Sequence, residues 1–340
     1  MAMTGVDAVT TRLLTGYDDP SFGRGEWNAL AERCPLPTCY QTWEFQCAWW
    51  ETLGRGRLLL AVAERDGEVV AVAPCFADGS TIYFVGGRHE ADYLDFVGDV
   101  SDPDVLDALV QALWAEVPGC SGFQLDFLPQ ATRTAARLAT AAERLGLRFY
   151  DDWELPAPMI DLVGKPDLAR ELANKSDAVG RERYLRNHGS LEVRHFSDGE
   201  EILSQLEEFF EQHVGRRADM AEPSMFLDAR RRAFVTRLTE LAAGAGWLRF
   251  TRIDWDGRPI AFHHGTCYDG RYLVGIRSWD IDLARRSPGH VLFRNLLLAA
   301  IEEGAEIFDM GIGEQPHKLR YATDFPLVQA YGLYPRRDDG

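Results

Sequence analysis

Residues 247–263 read WLRFTRIDWDGRPIAFH. Two strand-like runs meet at Asp256-Gly257, and Asp-Gly between such runs is a strong signal for a two-residue hairpin turn. The same plan stands earlier in the chain, where residues 58–74, LLLAVAERDGEVVAVAP, turn at Asp66-Gly67. Each hairpin is followed by a further strand (81–85 and 272–276), by a helix around Val105-Leu106 and Val291-Leu292, and by a buried strand (122–126 and 306–309). Corresponding elements stand about 183 to 190 residues apart. Four ordered elements at nearly constant offset imply a duplication, giving two mixed α/β lobes of like fold, each a twisted mixed sheet flanked by helices. Pro156 and Pro158 break local order and set the boundary there, with the first lobe at 1–156 and the second at 157–340. Between the hairpin plans, residues 167–186, 200–216 and 225–243 are helical in pattern, with Ser197 and Asp198 as caps. Leu203, Leu206, Phe209 and Phe210 form a buried helical stripe.

The two copies differ in the link from third strand to helix. In the first it runs through residues 86–103 and carries Asp92, Asp95, Asp99 and Asp102, with Asp104 just beyond, a set that repels a diphosphate. In the second it reads Ala284-Arg285-Arg286-Ser287-Pro288-Gly289-His290, between the strand 271–277 and an apolar helix from Val291 to Ile301. A loop that opens a helix presents unpaired amides to an anion. Pro288 and Gly289 set a tight turn, Gly289 permits close backbone approach, and Arg285 and Arg286 add charge-assisted bonds, with Ser287 and His290 completing the cradle. This is a candidate diphosphate site for coenzyme A; the alternative is an ordinary turn with two solvated arginines. On this reading the second lobe binds an anionic cofactor and the first has a structural or acceptor-binding role.

The 340 residues, 46% hydrophobic and 26% charged, suffice for two globular domains. No apolar run approaches the ~20 residues needed to cross a bilayer, and residues 1–16 lack the pattern of a signal peptide. A cytoplasmic protein without membrane insertion is expected. Cys34, Cys39, Cys47, Cys75, Cys120 and Cys267 show no metal-ligand or paired spacing, so they read as reduced core residues, with neither a metal site nor a disulfide framework. No GxGxxG follows a strand, which argues against a nicotinamide or flavin site. The net charge of −17 disfavours unspecific adhesion to DNA or anionic lipid. Local basic clusters remain at Arg181, Arg183 and Arg186, at Arg216 and Arg217, and at Arg230, Arg231 and Arg232. They read first as solvated helix faces, with Arg216 and Arg217 retained as candidate acceptor contacts.

Further motifs extend over most of the chain: Gln41-Thr42-Trp43 with Trp49 and Trp50, Asp92-Tyr93-Leu94-Asp95-Phe96, Ser287-Pro288-Gly289, and the run from Phe308-Asp309 to Glu314-Gln315-Pro316-His317-Lys318. On these residues the chain resembles the GNAT superfamily in its tandem form, the CelD-like acyltransferase group related to the Fem peptidyltransferases. The resemblance implies two tandem GNAT-like lobes and an acyl-CoA donor such as acetyl-CoA, or aminoacyl-tRNA on the Fem side. Three positions depart from the pattern: Ile312 stands where the family commonly has arginine, His317 where it has tyrosine, and Tyr321 where it has tryptophan. The helix after Asn174-Lys175 is also less basic than usual for the group.

Acyl transfer to an amine needs a held donor, a neutral amine and stabilisation of the oxyanion. In GNAT-like folds the strand bearing Val274 and Gly275 splays from its neighbour to admit the pantetheine arm. Strand alternation sends one of His263 and His264 inward and one outward; either accepts the amine proton or is a core histidine. Glu314 is a second candidate base, and Asp309 a third that its match to Asp126 marks as structural. By resemblance to the Fem-type ending, Lys318 holds a donor phosphate or the developing oxyanion, the alternative being a solvated loop lysine. Tyr321 protonates a leaving thiolate or packs in place of tryptophan. In the first lobe Trp43, Trp49 and Trp50 read as core, and Asp92, Tyr93 and Asp95 suit a cationic amine acceptor. The readings, in order, are an acyl-CoA-dependent N-acyltransferase acting on a small-molecule or peptide-like amine, an aminoacyl-tRNA-dependent Fem-like amide-forming transferase, and a catalytically silent tandem scaffold.

Overall fold

The computed structural model describes residues 8–336. They divide into two compact units, one running to Pro156 and resuming at Pro326, the other Ala157–Phe325. The first unit holds β1 (Thr10–Leu14), β2 (Arg57–Arg65), β3 (Glu68–Asp78), β4 (Thr81–Phe84), β5 (Val97–Gly98), β6 (Gly122–Pro129) and β7 (Leu147–Pro156). The second holds β8 (Met159–Asp161), β9 (Leu191–Phe196), β10 (Leu248–Trp255), β11 (Arg258–Tyr268), β12 (Arg271–Trp279) and β13 (Ile307–Asp309). A last strand, β14 (Leu327–Pro335), returns to the first sheet, whose order is β1-β2-β3-β4-β6-β14-β7 with β5 also paired to β3. The second sheet runs β8-β13-β12-β11-β10-β9.

Both Asp-Gly turns have the expected geometry. Asp66 and Gly67 have φ of 55° and 79°, Asp256 and Gly257 of 52° and 76°. Positive φ at both central residues is the type I′ turn whose twist matches that of the flanking strands. The duplication extends to the strand pairing: Thr81, Ile82 and Tyr83 run parallel to Gly122, Phe123 and Gln124, and Arg271, Tyr272 and Leu273 run parallel to Ile307, Phe308 and Asp309. Helices Pro103–Glu116 and Pro288–Glu302 precede the second strand of each pair. In the second unit, Val291, Leu292, Leu296, Leu297 and Ala300 of the 288–302 helix are buried with Ile253, Tyr272, Val274 and Phe308. Truncating one of these leucines to alanine costs about 2–5 kcal/mol, so the helix is firmly seated beside β12.

Several sequence expectations change. The helix expected over 167–186 is two, Pro166–Ala173 and Ser176–His188. The Asn174 side chain donates to the Arg170 carbonyl, at 2.8 Å, and satisfies locally what a continuing turn would. The helix expected over 200–216 likewise divides into Gly199–Leu203 and Leu206–Arg216, where the Ser204 hydroxyl donates to the Glu201 carbonyl. Asp198 caps the first of them through the Glu201 N–H. In place of one helix over 225–243 stand a short turn at Met225–Leu227 and the helix Ala229–Ala242. The final correction concerns 157–340 as one lobe: β14 lies between β6 and β7, with Tyr331 stacked on Phe149 at 4.8 Å. Alternating apolar residues mark a strand without naming its partner. Among the described residues no helix is long and apolar enough to cross a membrane, and no group of His, Cys, Asp or Glu is disposed to hold a metal ion.

Candidate active site of the second unit

The site begins at a defect in the second sheet. Opposite β11, Ile276 pairs with His264 and Leu273 with Thr266, so Val274 and Gly275 together face one residue, Gly265. This is a β-bulge. Gly275 has φ +38°, and a Cβ there would lie 2.4 Å from the His264 carbonyl oxygen, so the bulge requires glycine. On its other edge β12 pairs with β13 only as far as Leu273 and Asp309. Beyond the bulge, from Val274 to Trp279, β12 has β11 as its only strand partner among the described residues, while Met310 bonds through its N–H to the Pro158 carbonyl. The two parallel strands therefore diverge and leave a wedge with an open backbone edge.

The wedge leads to the start of the 288–302 helix. Residues Ile281–Arg286 form a 3-10 turn, and Ser287 takes a left-handed conformation with φ 54°. The helix then begins at Pro288, three residues earlier than the apolar pattern shows, and has no side-chain cap. Its amide end is thus open to an anion. Gly289 lies against the Trp279 indole, where an added Cβ would come within 3.1 Å of the ring. Arg285 is exposed and has no ion-pair partner among the described residues. Arg286 lies 4.2 Å over the Tyr184 ring. His290 is partly buried with Nδ1 unpartnered; burial, then the nearby Arg181, lowers its pKa.

Positive charge accumulates here. Arg216, at the end of its helix, stacks 3.2 Å over the Trp279 ring and donates to the Arg277 carbonyl at 2.9 Å. Burial pulls Arg277 down to about 10 and, helped by Arg217 and Arg277, does the same to Arg216; both remain charged at neutral pH. Neither has a carboxylate partner among the described residues. Desolvation, then the charges of Arg277, Lys318, His290 and Arg216, lower His317 to about 4. Lys318 is buried, and its ammonium donates to the carbonyls of Gly311 (3.1 Å) and Ile312 (2.7 Å). It ties down the loop that follows β13.

The other sequence candidates lie elsewhere or serve the fold. His263 is wholly buried, stacked on Tyr272, and burial pushes its pKa well down. His264 sits in an aromatic core beside Phe209 and Phe250, its Nε2 3.2 Å from the Thr239 hydroxyl, and burial lowers it to about 4. Asp309 is fully buried, paired with Arg271 at 2.7 Å and accepting from the Gly311 N–H. Glu314 is exposed on the loop. Tyr321 packs on Phe293 at 4.8 Å beneath the Lys175 ammonium, and burial raises its pKa. Arg217 is held by Glu222 at 3.1 Å.

In the first unit Asp92 accepts from the Tyr40 hydroxyl at 3.2 Å, and Tyr93 is buried. Asp95 is buried too, accepting from the Phe96 N–H and the Thr134 hydroxyl; burial raises its pKa to about 6. A carboxylate so enclosed meets no amine from solvent and anchors its loop instead. The residues that sequence reasoning passed over are Arg277 and Trp279. The available signal was a second arginine, Arg277, following the apolar run Tyr272–Ile276 of the same strand.

Residues 175–319 match the family described as acetyltransferase (GNAT) domain. No curated protein sequence matches the chain. Among solved structures, FemX is similar with a TM-score of 0.64 at 11% identity, covering 93% of this chain and 96% of its own. A conserved protein of unknown function from Bacteroides thetaiotaomicron gives 0.61 at 16% identity, covering 92% and 96%. A tandem GNAT protein from the clavulanic acid biosynthesis pathway gives 0.51 at 13% identity, covering 97% and 100%. At such identities the likeness is one of fold. Residues 175–319 are thus similar to a GNAT acetyltransferase domain, within a chain that shares the fold of FemX and of the tandem GNAT protein and carries the same α/β plan twice.

Proposed function

We propose that the chain is an N-acyltransferase that moves an acyl group from acyl-CoA to the amine of a small-molecule or peptide-like acceptor. One observation carries this reading: the open edge of β12 beyond the Gly275 bulge leads directly to an uncapped helix start beside the unpaired Arg285. The helix start with Arg285 and Arg286 suits a diphosphate, with Ser287, Pro288, Gly289 and His290 forming the turn. The N–H and C=O groups that this stretch turns away from β11, apart from the Arg277 carbonyl held by Arg216, suit the amides of a pantetheine arm. A thioester carbonyl held in the wedge is attacked by the acceptor amine; the C–N bond forms, the C–S bond breaks, and the amine proton passes to a base or to the leaving thiolate. Lys318 acts as a positioning residue, fixing the carbonyls of Gly311 and Ile312 at the wedge.

Calorimetric titration with acetyl-CoA and desulfo-CoA tests the donor. Micromolar binding is expected in the wild type and its loss in an Arg285→Ala/Arg286→Ala double variant; an inert wild type removes the reading.

A cleft of about 260 Å³ on the second unit, lined by Arg183, Arg186, Asn187 and Arg294 with Glu182, favours the second reading, an aminoacyl-tRNA donor. Glu182 pairs with Arg186 and Arg294, which leaves Arg183 without a carboxylate partner among the described residues and suited to a phosphate. A steep fall of donor binding with salt, one counterion per neutralised phosphate, would mark it.

A further inference from the structure

Arg216 and Arg277 form an arrangement that the fold alone does not account for. The Arg216 guanidinium stacks on Trp279 and donates to the main-chain carbonyl of Arg277, whose own side chain shares the Trp279 face of β12; both arginines are half-buried and without a carboxylate among the described residues. The protein has 53 acidic side chains to choose from. Elsewhere several of its partly buried arginines are paired: Arg271 with Asp309, Arg294 with Glu182, Arg252 with Asp254. Removing charge from water without a counter-charge is costly, and a neighbouring like charge adds to the cost. Such a pair is tolerated where an anion completes it, as strained charges are at binding sites.

The pair is distinct from the helix start. Arg216 reaches Trp279 from the end of the Leu206–Arg216 helix, whereas Gly289 touches the same indole from the 288–302 helix. The planar fork of arginine matches the two oxygens of a carboxylate or a phosphate, and stacking on indole pre-orients it. We propose that Arg216 and Arg277 bind an oxyanion on the acceptor, so that the acyl-accepting molecule is an amine that also carries a carboxylate or a phosphate. This rests on the acyl-transfer reading for what the anion is attached to. It reverses the sequence expectation of a cationic acceptor met by Asp92 and Asp95.

The test is calorimetric titration of the full chain with succinate and, separately, with inorganic phosphate, each with and without saturating acetyl-CoA. The proteins compared are the wild type, Arg216→Gln, Arg277→Gln and the two lysine variants. One anion is expected to bind the wild type, about tenfold or more weaker in both glutamine variants and partly recovered with lysine, which keeps the charge but loses the fork. Succinate binding identifies a carboxylate, phosphate binding a phosphate. The glutamine variants are expected to unfold at the same or a higher temperature, because an uncompensated charge has gone; a lower unfolding temperature would reveal a structural pair and overturn the proposal. So would wild type that binds neither anion, variants that bind as well as wild type, or displacement of the anion by acetyl-CoA. An anion held by a protein that ignores acetyl-CoA would support the pair while removing the donor reading.

Discussion

The two copies of the α/β plan differ at one strand. In the second unit β12 continues past its bulge along β11, placing Ser278 and Trp279 opposite Phe262 and Ala261. In the first, β4 stops at Phe84, and the corresponding places beside β3, opposite Val72 and Ala71, are taken by Val97 and Gly98 of β5. Between them residues 85–96 make a detour whose Leu94 N–H bonds to the Phe127 carbonyl of β6, at 2.9 Å. Where the second unit has a bulged strand and an open wedge, the first has its own chain bridging to the neighbouring strand. Asp95, on that detour, is sealed inside. A duplicated scaffold has thus kept one opening and closed the other, and the contrast explains why the carboxylates are internal bonds in one copy while the arginines of the other lack partners.

Four outcomes sharpen or break this contrast. The largest is expected from Gly275→Val. A branched side chain at φ +38° against the His264 carbonyl flattens or unfolds the bulge, costing about 2–4 kcal/mol in urea unfolding and abolishing acetyl-CoA binding. Retained binding would show that the bulge does not open the donor site.

Next comes acid. His213 and His264 are held at about 4 by burial, against about 6.5 in an unfolded chain. The unfolded state therefore takes up protons first, and the stability due to these residues is full above pH 6.5 and lost as pH falls toward 4, on the order of 3 kcal/mol each. Hydrogen exchange followed by region should show the second unit opening first on acidification; simultaneous opening of both units would contradict it.

The first unit should respond in the opposite sense and more weakly. Asp95, raised by burial to about 6 from 3.8, favours folding when neutral, so its contribution is full below pH 3.8 and disappears as pH rises through 6. Asp95→Asn should make the first unit's stability insensitive to pH between 4 and 7; an unaltered pH profile would mean that the carboxylate is not sealed.

The smallest effect tests the shared part. Gly67→Ala and Gly257→Ala both place a Cβ at positive φ, and each should cost about 1 kcal/mol, nearly equally, in thermal or urea unfolding. Unequal costs would mean that the hairpins are less alike than their registers.

The sequence by itself determined the doubled plan, because its signals are local. Asp-Gly between apolar runs demands a type I′ turn, strand and helix periods are written in neighbouring residues, and repetition makes the order visible. Local reasoning also found the Ser287-Pro288-Gly289 turn. It could not find the partner of β14, nor that Asp95 turns inward to Thr134, nor that the Lys318 ammonium is spent on two carbonyls, since each depends on groups brought together from separate segments. Arg277 shows this most plainly. In sequence it is one charged residue closing a strand; only the tertiary structure sets Arg216 against its carbonyl and keeps the carboxylates of the described residues elsewhere, and so turns a local anomaly into the charge proposed to meet an incoming anion.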